Sequence, residues 1–545
     1  MTLLLQDLLA RSAEKWPAKE VARLSDETLS YGRLDTLSTL LAGSLRDAGL
    51  RRGDRVGVCL GKSLGSLVSV FAVLRAGGVC VPFDPNAPVG RHAHIVRDCG
   101  IRILITEASQ LRHLLIPAVN ALPVECVLLT DELDLDPNLP AWDVQVIPWS
   151  EILRSNSGKS RAARPLPSDP AYILYTSGST GMPKGVTLSH LAIFSFVEWA
   201  VSTFRLGSED RVTNHAPLHF DLSTFDLFAT VMAGGTVLPI PASFSNYPVR
   251  FAELLEAERI TATYLVPSML RLLVNYGDLE SYDLSSLRLV LFAGEVLPIK
   301  YLRALIDRLP NAEFFNLYGP TETNVCTYHR VTPADVAPEV TKPVPIGRAC
   351  ESVEVFAVGE DHRIVTAPGQ EGELWVRGAN LASGYWGDRE RTSSRFIQNP
   401  FQPTFLDTVY RTGDVVALAS DGVSWEFVGR KDQMVKSRGY RIELGEVESV
   451  LLQHELVVEA AVVAVPDELL GNRLAAFVVG RFESADPTGD LMAHCGRFLP
   501  PYMLPETLRL LDGLPKTSTG KLDRVALSEG AALGIVPPWN RTGRS

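Results

Sequence analysis

The chain has 545 residues, of which 46% are hydrophobic and 21% are charged, and its formal net charge is −11. This composition is typical of a globular protein with a large core and more than one domain. The charge is modest for this length and no basic run stands out, which argues against nucleic acid as the main partner.

The N-terminal residues Met1–Trp16 contain too short an apolar run for a secretory signal, and no positive region precedes it. No apolar stretch in the sequence reaches the roughly 20 residues that a membrane-spanning helix needs. The seven cysteines are scattered without a CxxC pair, which predicts reduced thiols rather than disulfides or a zinc site. We therefore expect a cytoplasmic protein without a membrane or nucleic-acid partner.

The N-terminal part of the chain alternates between helical and strand-like patterns. Leu34, Leu37, Leu41 and Leu45 recur at helical spacing and end at Gly49, which suits a helix C-terminus. A second helical stretch lies near 67–74, and short apolar runs that predict strands lie at 56–59, 79–83, 101–105 and 124–129. This βαβ alternation predicts an α/β fold with a parallel sheet.

Residues 175–185, YTSGSTGMPKG, follow the apolar run 171–174, which we interpret as a buried strand. Glycines permit close backbone approach, and the serine and threonine hydroxyls and Lys184 supply donors and charge, as a phosphate-binding loop requires. The sequence does not match the Walker A pattern. A flexible linker is the alternative, and the strand before the loop and the Pro-Lys-Gly end argue against it.

The segment 219–228, HFDLSTFDLF, contains Asp221, which local sequence alone equally allows to be a helix N-cap residue. His215 and His219 have a spacing of four, but Pro217 between them argues against a helical metal site, so we expect structural histidines. From residue 429 onward the chain becomes dense in charge, and strand-like runs at 460–465 and 474–479 predict a small α+β domain.

Together with the loop at 175–185, motifs along nearly the whole chain resemble, in the same order, those of the adenylate-forming superfamily. This family comprises acyl-CoA synthetases, luciferases and adenylation domains of nonribosomal peptide synthetases. The matching segments are NLYGPTET (316–323), YRTGD (410–414), GRKD (429–432) and LPKTSTGK (514–521). The resemblance implies a large N-terminal domain, 1–430, with parallel and mixed sheets, and a small mobile C-terminal domain, 431–545, that turns about Asp432. Met434 departs from the pattern, because the family usually has Gln there.

The resemblance also implies the residues that handle ATP and Mg²⁺. Lys521 and Lys184 are expected to neutralise charge during catalysis, and Glu322 to bind the metal beside the phosphates. Asp414 is expected to bind the ribose hydroxyls, Tyr318 to pack on adenine and Asn316 to reach its amino group. The full set expected around the nucleotide is Thr176, Ser177, Gly178, Ser179, Thr180, Gly181, Gly294, Glu295, Asn316, Tyr318, Gly319, Thr321, Asp414 and Arg430.

The family's substrate pocket carries over to Asp221, Leu222, Phe225, Tyr264, Leu291, Ala293, Leu317, Val325 and Cys326, closed by Lys521. In the peptide-synthetase branch the position of Asp221 binds the α-amino group, and the rest of the lining is mostly apolar. This set is similar to that of stand-alone prolyl adenylating enzymes, which implies L-proline as the substrate and a separate phosphopantetheinylated carrier protein as the partner. Three alternatives stay open: another small apolar amino acid, an acyl- or aryl-CoA ligase, and an inactive nucleotide-binding relative.

Overall fold

The computed structural model describes residues 3–115, 122–132, 144–154, 164–178, 182–241, 244, 247–432, 434–482, 486–517 and 522–533. The described residues fall into two compact units. The first unit lies within 1–85, 93–175 and 185–431, and the second within 86–92, 176–184 and 432–545. The predicted division into domains 1–430 and 431–545 stays a prediction.

The helices have the following bounds in chain order: α1 (Leu5–Lys15), α2 (Tyr31–Asp47), α3 (Leu64–Ala76), α4 (Val89–Cys99), α5 (Ala108–Leu115), α6 (Trp149–Arg154), α7 (His190–Thr203), α8 (Thr230–Ala233), α9 (Pro248–Ala257), α10 (Pro267–Tyr276), α11 (Ile299–Arg308), α12 (Arg389–Arg395), α13 (Leu444–Leu452), α14 (Pro487–Gly496) and α15 (Arg524–Ala532). A π-helix over Phe225–Ala229 runs directly into α8.

The strands have the following bounds in chain order: β1 (Glu20–Leu24), β2 (Glu27–Ser30), β3 (Arg55–Cys59), β4 (Val79–Pro82), β5 (Ile103–Thr106), β6 (Cys126–Leu129), β7 (Gln145–Ile147), β8 (Pro170–Thr176), β9 (Lys184–Ser189), β10 (Arg211–Asn214), β11 (Thr236–Pro239), β12 (Ala262–Leu265), β13 (Leu289–Ala293), β14 (Glu313–Tyr318), β15 (Thr327–Arg330), β16 (Arg348–Ala349), β17 (Val353–Val358), β18 (Glu371–Gly378), β19 (Gly384–Tyr385), β20 (Phe396–Gln398), β21 (Thr408–Leu418), β22 (Trp425–Arg430), β23 (Met434–Ser437), β24 (Tyr440–Glu443), β25 (Val457–Asp467), β26 (Gly471–Gly480) and β27 (Thr507–Leu510).

Two large sheets form most of the first unit. One has nine strands in the order β16-β15-β14-β13-β12-β10-β11-β1-β2, and the other has eight in the order β19-β9-β8-β4-β3-β5-β6-β7. The pairs from β14 to β1 are parallel, and so are those from β8 to β7, whereas β2, β15, β16 and β19 pair antiparallel. The predicted α/β class with parallel and mixed sheets is therefore confirmed.

The largest core cluster contains residues of both sheets together with residues of α1, α2, α3 and α7. Strand β13 contributes side chains to two core clusters, one on each face of the sheet. Leu289, Leu291 and Ala293 belong to this shared cluster, whereas Val290 and Phe292 pack on the other face of the sheet against α9, α10 and α11. Successive side chains of a strand point to opposite faces, so an apolar run without alternation is required here.

The two predicted N-terminal helices are present, with ends that follow from local chemistry. Helix α2 begins after Ser30, whose side chain accepts a hydrogen bond from Arg33 N–H, and the chain leaves it through Gly49 at φ 88°. Helix α3 begins with a capping box at Ser63 and ends at Gly77 in the left-handed conformation. These ends lie within a few residues of the predicted limits of the helical pattern.

The C-terminal part of the second unit is an α+β arrangement around the three-stranded sheet β25-β26-β27. Val462, Leu474 and Ala476 pack in one cluster with residues of α13 and α14. The alternate residues of the same strands, among them Val463 and Ala475, pack in a second cluster with Leu527 of α15. Helices therefore cover both faces of this small sheet.

No helix in the part of the chain that the structure describes combines the length and apolar character needed to cross a membrane.

Candidate active site

Four predicted pocket residues are neighbours across three parallel strands of the first unit. Tyr264 of β12 pairs with Leu291 of β13, and Ala293 of β13 pairs with Leu317 of β14. All four are buried in the same core cluster. Residues that are paired across a sheet share a face, so these side chains form one mostly apolar wall.

The segment around Asp221 brings the polar member of the pocket to this wall. Phe225, the first residue of the π-helix, meets the Tyr264 ring edge-on with centroids 5.6 Å apart. Burial, and then the carboxylates of Asp221 and Asp226, raise the pKa of the Tyr264 hydroxyl well above its ordinary value. Asp221 is half-buried, and the N-cap position of the π-helix belongs to Thr224. Asp221 is therefore a carboxylate close to an apolar wall rather than the cap of this helix.

The remaining pocket residues divide between two core clusters. Leu222 packs against the cluster that contains the apolar wall, and Val325 belongs to it. Cys326 belongs instead to a neighbouring cluster with Tyr318. Leu222 and Val325 therefore share a core cluster with the apolar wall, whereas Cys326 lies in the cluster of Tyr318, one of the predicted nucleotide residues.

Asn316 of β14 has an orientation that suits recognition of an amino group. Its side-chain Nδ2 donates a hydrogen bond of 2.8 Å to the carbonyl oxygen of Pro345. The donor end of the amide is thereby engaged, which leaves Oδ1 as the acceptor end. An exocyclic amino group such as that of adenine needs an acceptor of this kind.

Asp414 lies between two of the other predicted nucleotide residues. Its carboxylate accepts a 2.5 Å hydrogen bond from the Tyr318 hydroxyl and forms a 2.6 Å ion pair with Arg430. Burial, and then the charge of Asp414, raise the pKa of the Tyr318 hydroxyl well above its ordinary value, so this hydroxyl stays a donor. A carboxylate has about four lone-pair sites, so Asp414 keeps acceptor capacity for a vicinal diol.

Glu322 is fully buried in the turn after β14. Its Oε1 accepts a 2.8 Å hydrogen bond from the Tyr385 hydroxyl, and its carbonyl oxygen accepts one from Ala382 N–H. These contacts orient a hard carboxylate oxygen ligand of the type that Mg²⁺ prefers, so the residue fits the predicted metal role. Tyr385 is a supporting residue that the sequence analysis did not name.

Gly319 and Thr321 belong to the same turn. A Cβ atom on Gly319 would lie 1.6 Å from the carbonyl oxygen of Asn324, so only glycine permits this close approach. Thr321 supplies a carbonyl oxygen that accepts from Asn324 N–H. Both residues therefore shape the turn that carries Glu322.

Gly294 and Glu295 follow β13. Gly294 has φ 98°, a conformation that favours glycine. Glu295 is nearly fully buried, and its carboxylate pairs with Arg271 at 3.0 Å and accepts from Ser268 N–H in the first turn of α10. These contacts are with a helix and an arginine, and the expected place of Glu295 beside the nucleotide stays a prediction.

Ser177 and Gly178 of the glycine-rich loop belong to the second unit and form hydrogen bonds with residues of the same unit. The Ser177 hydroxyl donates to Arg441 O at 2.7 Å and accepts from Glu443 N–H at 3.2 Å. Gly178 N–H donates to the Glu446 carboxylate at 3.1 Å, and Arg91 pairs with the same carboxylate at 2.7 Å. One backbone N–H of this loop, that of Gly178, therefore holds an anionic oxygen.

The structure describes only some of the other residues that were predicted in the loop and in the C-terminal domain. Thr176 Oγ1 is buried and has no hydrogen-bond partner among the described residues, and Lys184 begins β9. Asp432 accepts a 3.3 Å hydrogen bond from Met434 N–H. Ser179, Thr180, Gly181 and Lys521 lie outside the described residues.

Sequence reasoning missed a buried polar group behind the pocket. Asp226 is fully buried and accepts a 3.0 Å hydrogen bond from Asn214, and the Lys62 ammonium donates to the carbonyl oxygen of His215. Burial raises the pKa of Asp226 to about 8, an effect that Lys62 opposes.

In the described part of the chain, no group of three or more His, Cys, Asp or Glu residues could hold a metal ion. The His215 ring instead packs edge-on against the Phe251 ring.

Comparisons with known proteins identify the family of the chain. The family model described as AMP-binding enzyme matches residues 9–386, and the one described as AMP-binding enzyme C-terminal domain matches 446–521. The chain is 38% identical over 519 residues to a protein of Streptomyces coelicolor named as an L-proline–L-prolyl-carrier protein ligase, with 94% of each chain covered. A Pseudomonas fluorescens protein of the same name is 37% identical over 526 residues, which cover 96% of this chain and 99% of the relative.

Among solved structures, the Vibrio cholerae adenylation domain AlmE in complex with glycyl-adenosine-5′-phosphate is similar, with a TM-score of 0.84 and 98% of both chains covered. At 23% identity this likeness shows the fold alone. The family match spans more than half of the chain, and two relatives above 30% identity cover nearly all of it. The chain therefore belongs to the AMP-binding enzyme family.

Proposed function

We propose that the chain is an ATP-dependent ligase that adenylates L-proline and passes the prolyl group to the phosphopantetheine thiol of a separate carrier protein. In the first step a carboxylate oxygen of proline attacks the α-phosphorus of ATP. The bond from this phosphorus to the oxygen bridging to the β-phosphate breaks, and pyrophosphate leaves. In the second step the thiol sulfur attacks the acyl carbon, its proton passes to solvent, and AMP leaves.

The observation that carries the substrate assignment is the half-buried carboxylate of Asp221 near an apolar wall. The wall residues Tyr264, Leu291, Ala293 and Leu317 are buried together, and Tyr264 is held neutral. Asp221 would pair with the α-ammonium group, and the wall would accept a small apolar ring. The names of the two full-length relatives support L-proline as this substrate and a carrier protein as the acceptor.

Hydrogen bonds already orient three of the residues that would hold the nucleotide, Asn316, Asp414 and Glu322. Asn316 would accept from the adenine amino group through Oδ1, and Asp414 would accept from the ribose hydroxyls. Glu322 would hold Mg²⁺, which when bound neutralises charge on the phosphate oxygens. Lys184, Lys521 and the backbone of the loop 176–181 would offset the charge that develops when one anion attacks another.

The test is amino-acid-dependent exchange of labelled pyrophosphate into ATP, run with all twenty L-amino acids, D-proline and pipecolate. We expect strong exchange with L-proline. Exchange led by another amino acid would keep the reaction and contradict the substrate. No exchange with any member of the panel would contradict amino-acid adenylation and favour the CoA-ligase or inactive-relative alternatives.

The transfer step needs a second measurement. Purified protein would be incubated with ATP, labelled proline and a phosphopantetheinylated carrier protein, and protein-bound label would be released with hydroxylamine. Label that depends on the phosphopantetheine arm is expected. Release of free prolyl-AMP or formation of prolyl-CoA in preference to labelled carrier would contradict the proposed acceptor.

A further inference from the structure

A series of three hydrogen bonds, two of them buried and the third partly buried, links two sides of the predicted amino-acid pocket. Val325 N–H donates to Asn324 Oδ1 at 2.8 Å, and Asn324 Nδ2 donates to Thr224 Oγ1 at 3.1 Å. The Thr224 hydroxyl in turn donates to the carbonyl oxygen of Asp221 at 2.6 Å. This series of hydrogen bonds thus runs from the backbone of one pocket residue, Val325, to the backbone of another, Asp221.

The donor and the acceptor of every hydrogen bond in this series are determined. A hydroxyl has one proton, and that of Thr224 is used toward Asp221, so its oxygen must accept from Asn324. The Asn324 amide oxygen accepts from Val325 N–H, which sets the amide orientation. Thr224 and Asn324 are both buried, so loss of either partner would leave polar groups without water.

The Val325 end of this series of hydrogen bonds lies in a turn with little freedom to move. Asn324 has φ 51°, a left-handed conformation that asparagine tolerates better than most residues. The Asn380 side chain donates to the carbonyl oxygens on either side of it, those of Thr323 at 2.6 Å and Val325 at 3.2 Å. A shift of Asn324 would therefore break hydrogen bonds on both flanks, and the close approach of Gly319 leaves no room behind it.

We infer that Thr224 and Asn324 are specificity-determining positioning residues, which hold Asp221 at a set distance from the Val325 side of the pocket. This inference rests on the proposed function. One methylene in an apolar pocket changes the rate by only about 10- to 200-fold, so a small ring is selected only if the pocket cannot widen. Hydrogen bonds that connect the two backbone segments through the Asn324 and Thr224 side chains resist such widening better than apolar contacts alone, because each has a narrow range of length.

The decisive variant is Thr224→Val, which keeps the shape of threonine and removes the hydroxyl. The measurements are the KM values for L-proline and ATP in pyrophosphate exchange, and the ratio of kcat/KM for L-proline to that for pipecolate, whose ring is one methylene larger. We expect the KM for L-proline to rise about tenfold, the KM for ATP to change less than about twofold and the ratio to fall about tenfold. Thr224→Ser, which restores the hydroxyl, is expected to restore the ratio.

Asn324→Gly provides an independent variant, because glycine accepts the positive φ and removes the amide. If both residues act through one hydrogen bond, the double variant loses no more selectivity than either single variant. A matched control is Thr106→Val, which removes a buried hydroxyl that donates to Cys59 O at 2.8 Å in the other large sheet. The melting temperature of each variant separates loss of fold from loss of selectivity.

The inference is overturned if Thr224→Val keeps the proline-to-pipecolate ratio, if the KM for ATP rises in parallel, or if the two losses multiply in the double variant. Should Thr224→Val fail to fold, the ratio in Asn324→Gly decides alone. Wild-type protein without exchange on any amino acid would overturn the proposed function. Active wild-type protein with unchanged variants would overturn only this inference.

Discussion

Asp221 is the residue on which the proposed substrate class depends, because its carboxylate lies close to a mostly apolar wall. We predict that Asp221→Asn, which keeps the shape and removes the charge, lowers kcat/KM for L-proline about 100-fold, the order expected for ~3 kcal/mol of a charge-assisted contact. Pyrophosphate exchange at varied proline measures this. The exposed Asp47→Asn is the matched control. A variant within about threefold of wild type would contradict an amino-acid substrate.

Tyr318 makes a second residue-scale prediction, because its hydroxyl orients Asp414 from a distance of 2.5 Å. Tyr318→Phe keeps the ring that is expected against adenine and removes the donor. We expect the KM for ATP to rise about tenfold, as for the loss of one hydrogen bond to a charged group, with the KM for L-proline little changed. An increase in the KM for proline alone would contradict the assignment of Asp414 to the nucleotide.

At the scale of elements, a buried histidine connects α1 and α7. His190 begins α7, is buried, and accepts a 3.4 Å hydrogen bond from Leu5 N–H at Nδ1, so its ring is neutral with the proton on Nε2. Burial lowers the pKa of His190 to about 4. A positive charge at a helix N-terminus would also oppose the helix dipole.

The pH prediction follows from this lowered pKa. The unfolded chain takes up a proton at His190 near pH 6.5, whereas the folded chain does so only near pH 4, so stability is lost as pH falls between these values. At pH 5 the loss amounts to about 2 kcal/mol. Melting temperatures at pH 7.5 and pH 5 should therefore differ more in wild type than in His190→Gln. The exposed His362→Gln should behave as wild type, and equal shifts in all three proteins would contradict the prediction.

At the scale of the whole molecule, the proposed reaction has two different steps, adenylation of proline and transfer of the prolyl group to the carrier protein. The sequence analysis predicts that the C-terminal domain turns about Asp432 between these steps. Asp432→Pro fixes φ near −65°. We predict that the ratio of carrier loading to pyrophosphate exchange changes at least about tenfold in this variant, while Asp432→Ala keeps it, since alanine leaves the backbone free. Equal loss of both activities in Asp432→Pro would contradict a hinge at this residue.

Much of the architecture was predictable because local patterns of residue types indicate the strands and the helix ends. The apolar runs at 56–59 and 79–83 lack alternation, as buried parallel strands do, and Gly49 marks a helix end through its backbone freedom. Residue-type chemistry likewise selected Asp221, Glu322 and Asp414 once the motifs had been recognised. The Cys326 side chain was grouped with the pocket, and the structure places it in the cluster of Tyr318.

The sequence by itself determined the fold class, the family and the residue types that the chemistry needs, because motif spacing and periodicity act over a few residues at a time. Only the tertiary structure decided how these residues are held. Thr224 and Asn324 are 100 positions apart and meet through one hydrogen bond, and Tyr385 reaches Glu322 across 63 positions. No local pattern encodes such contacts, because they arise when parallel strands and their turns pack into one core.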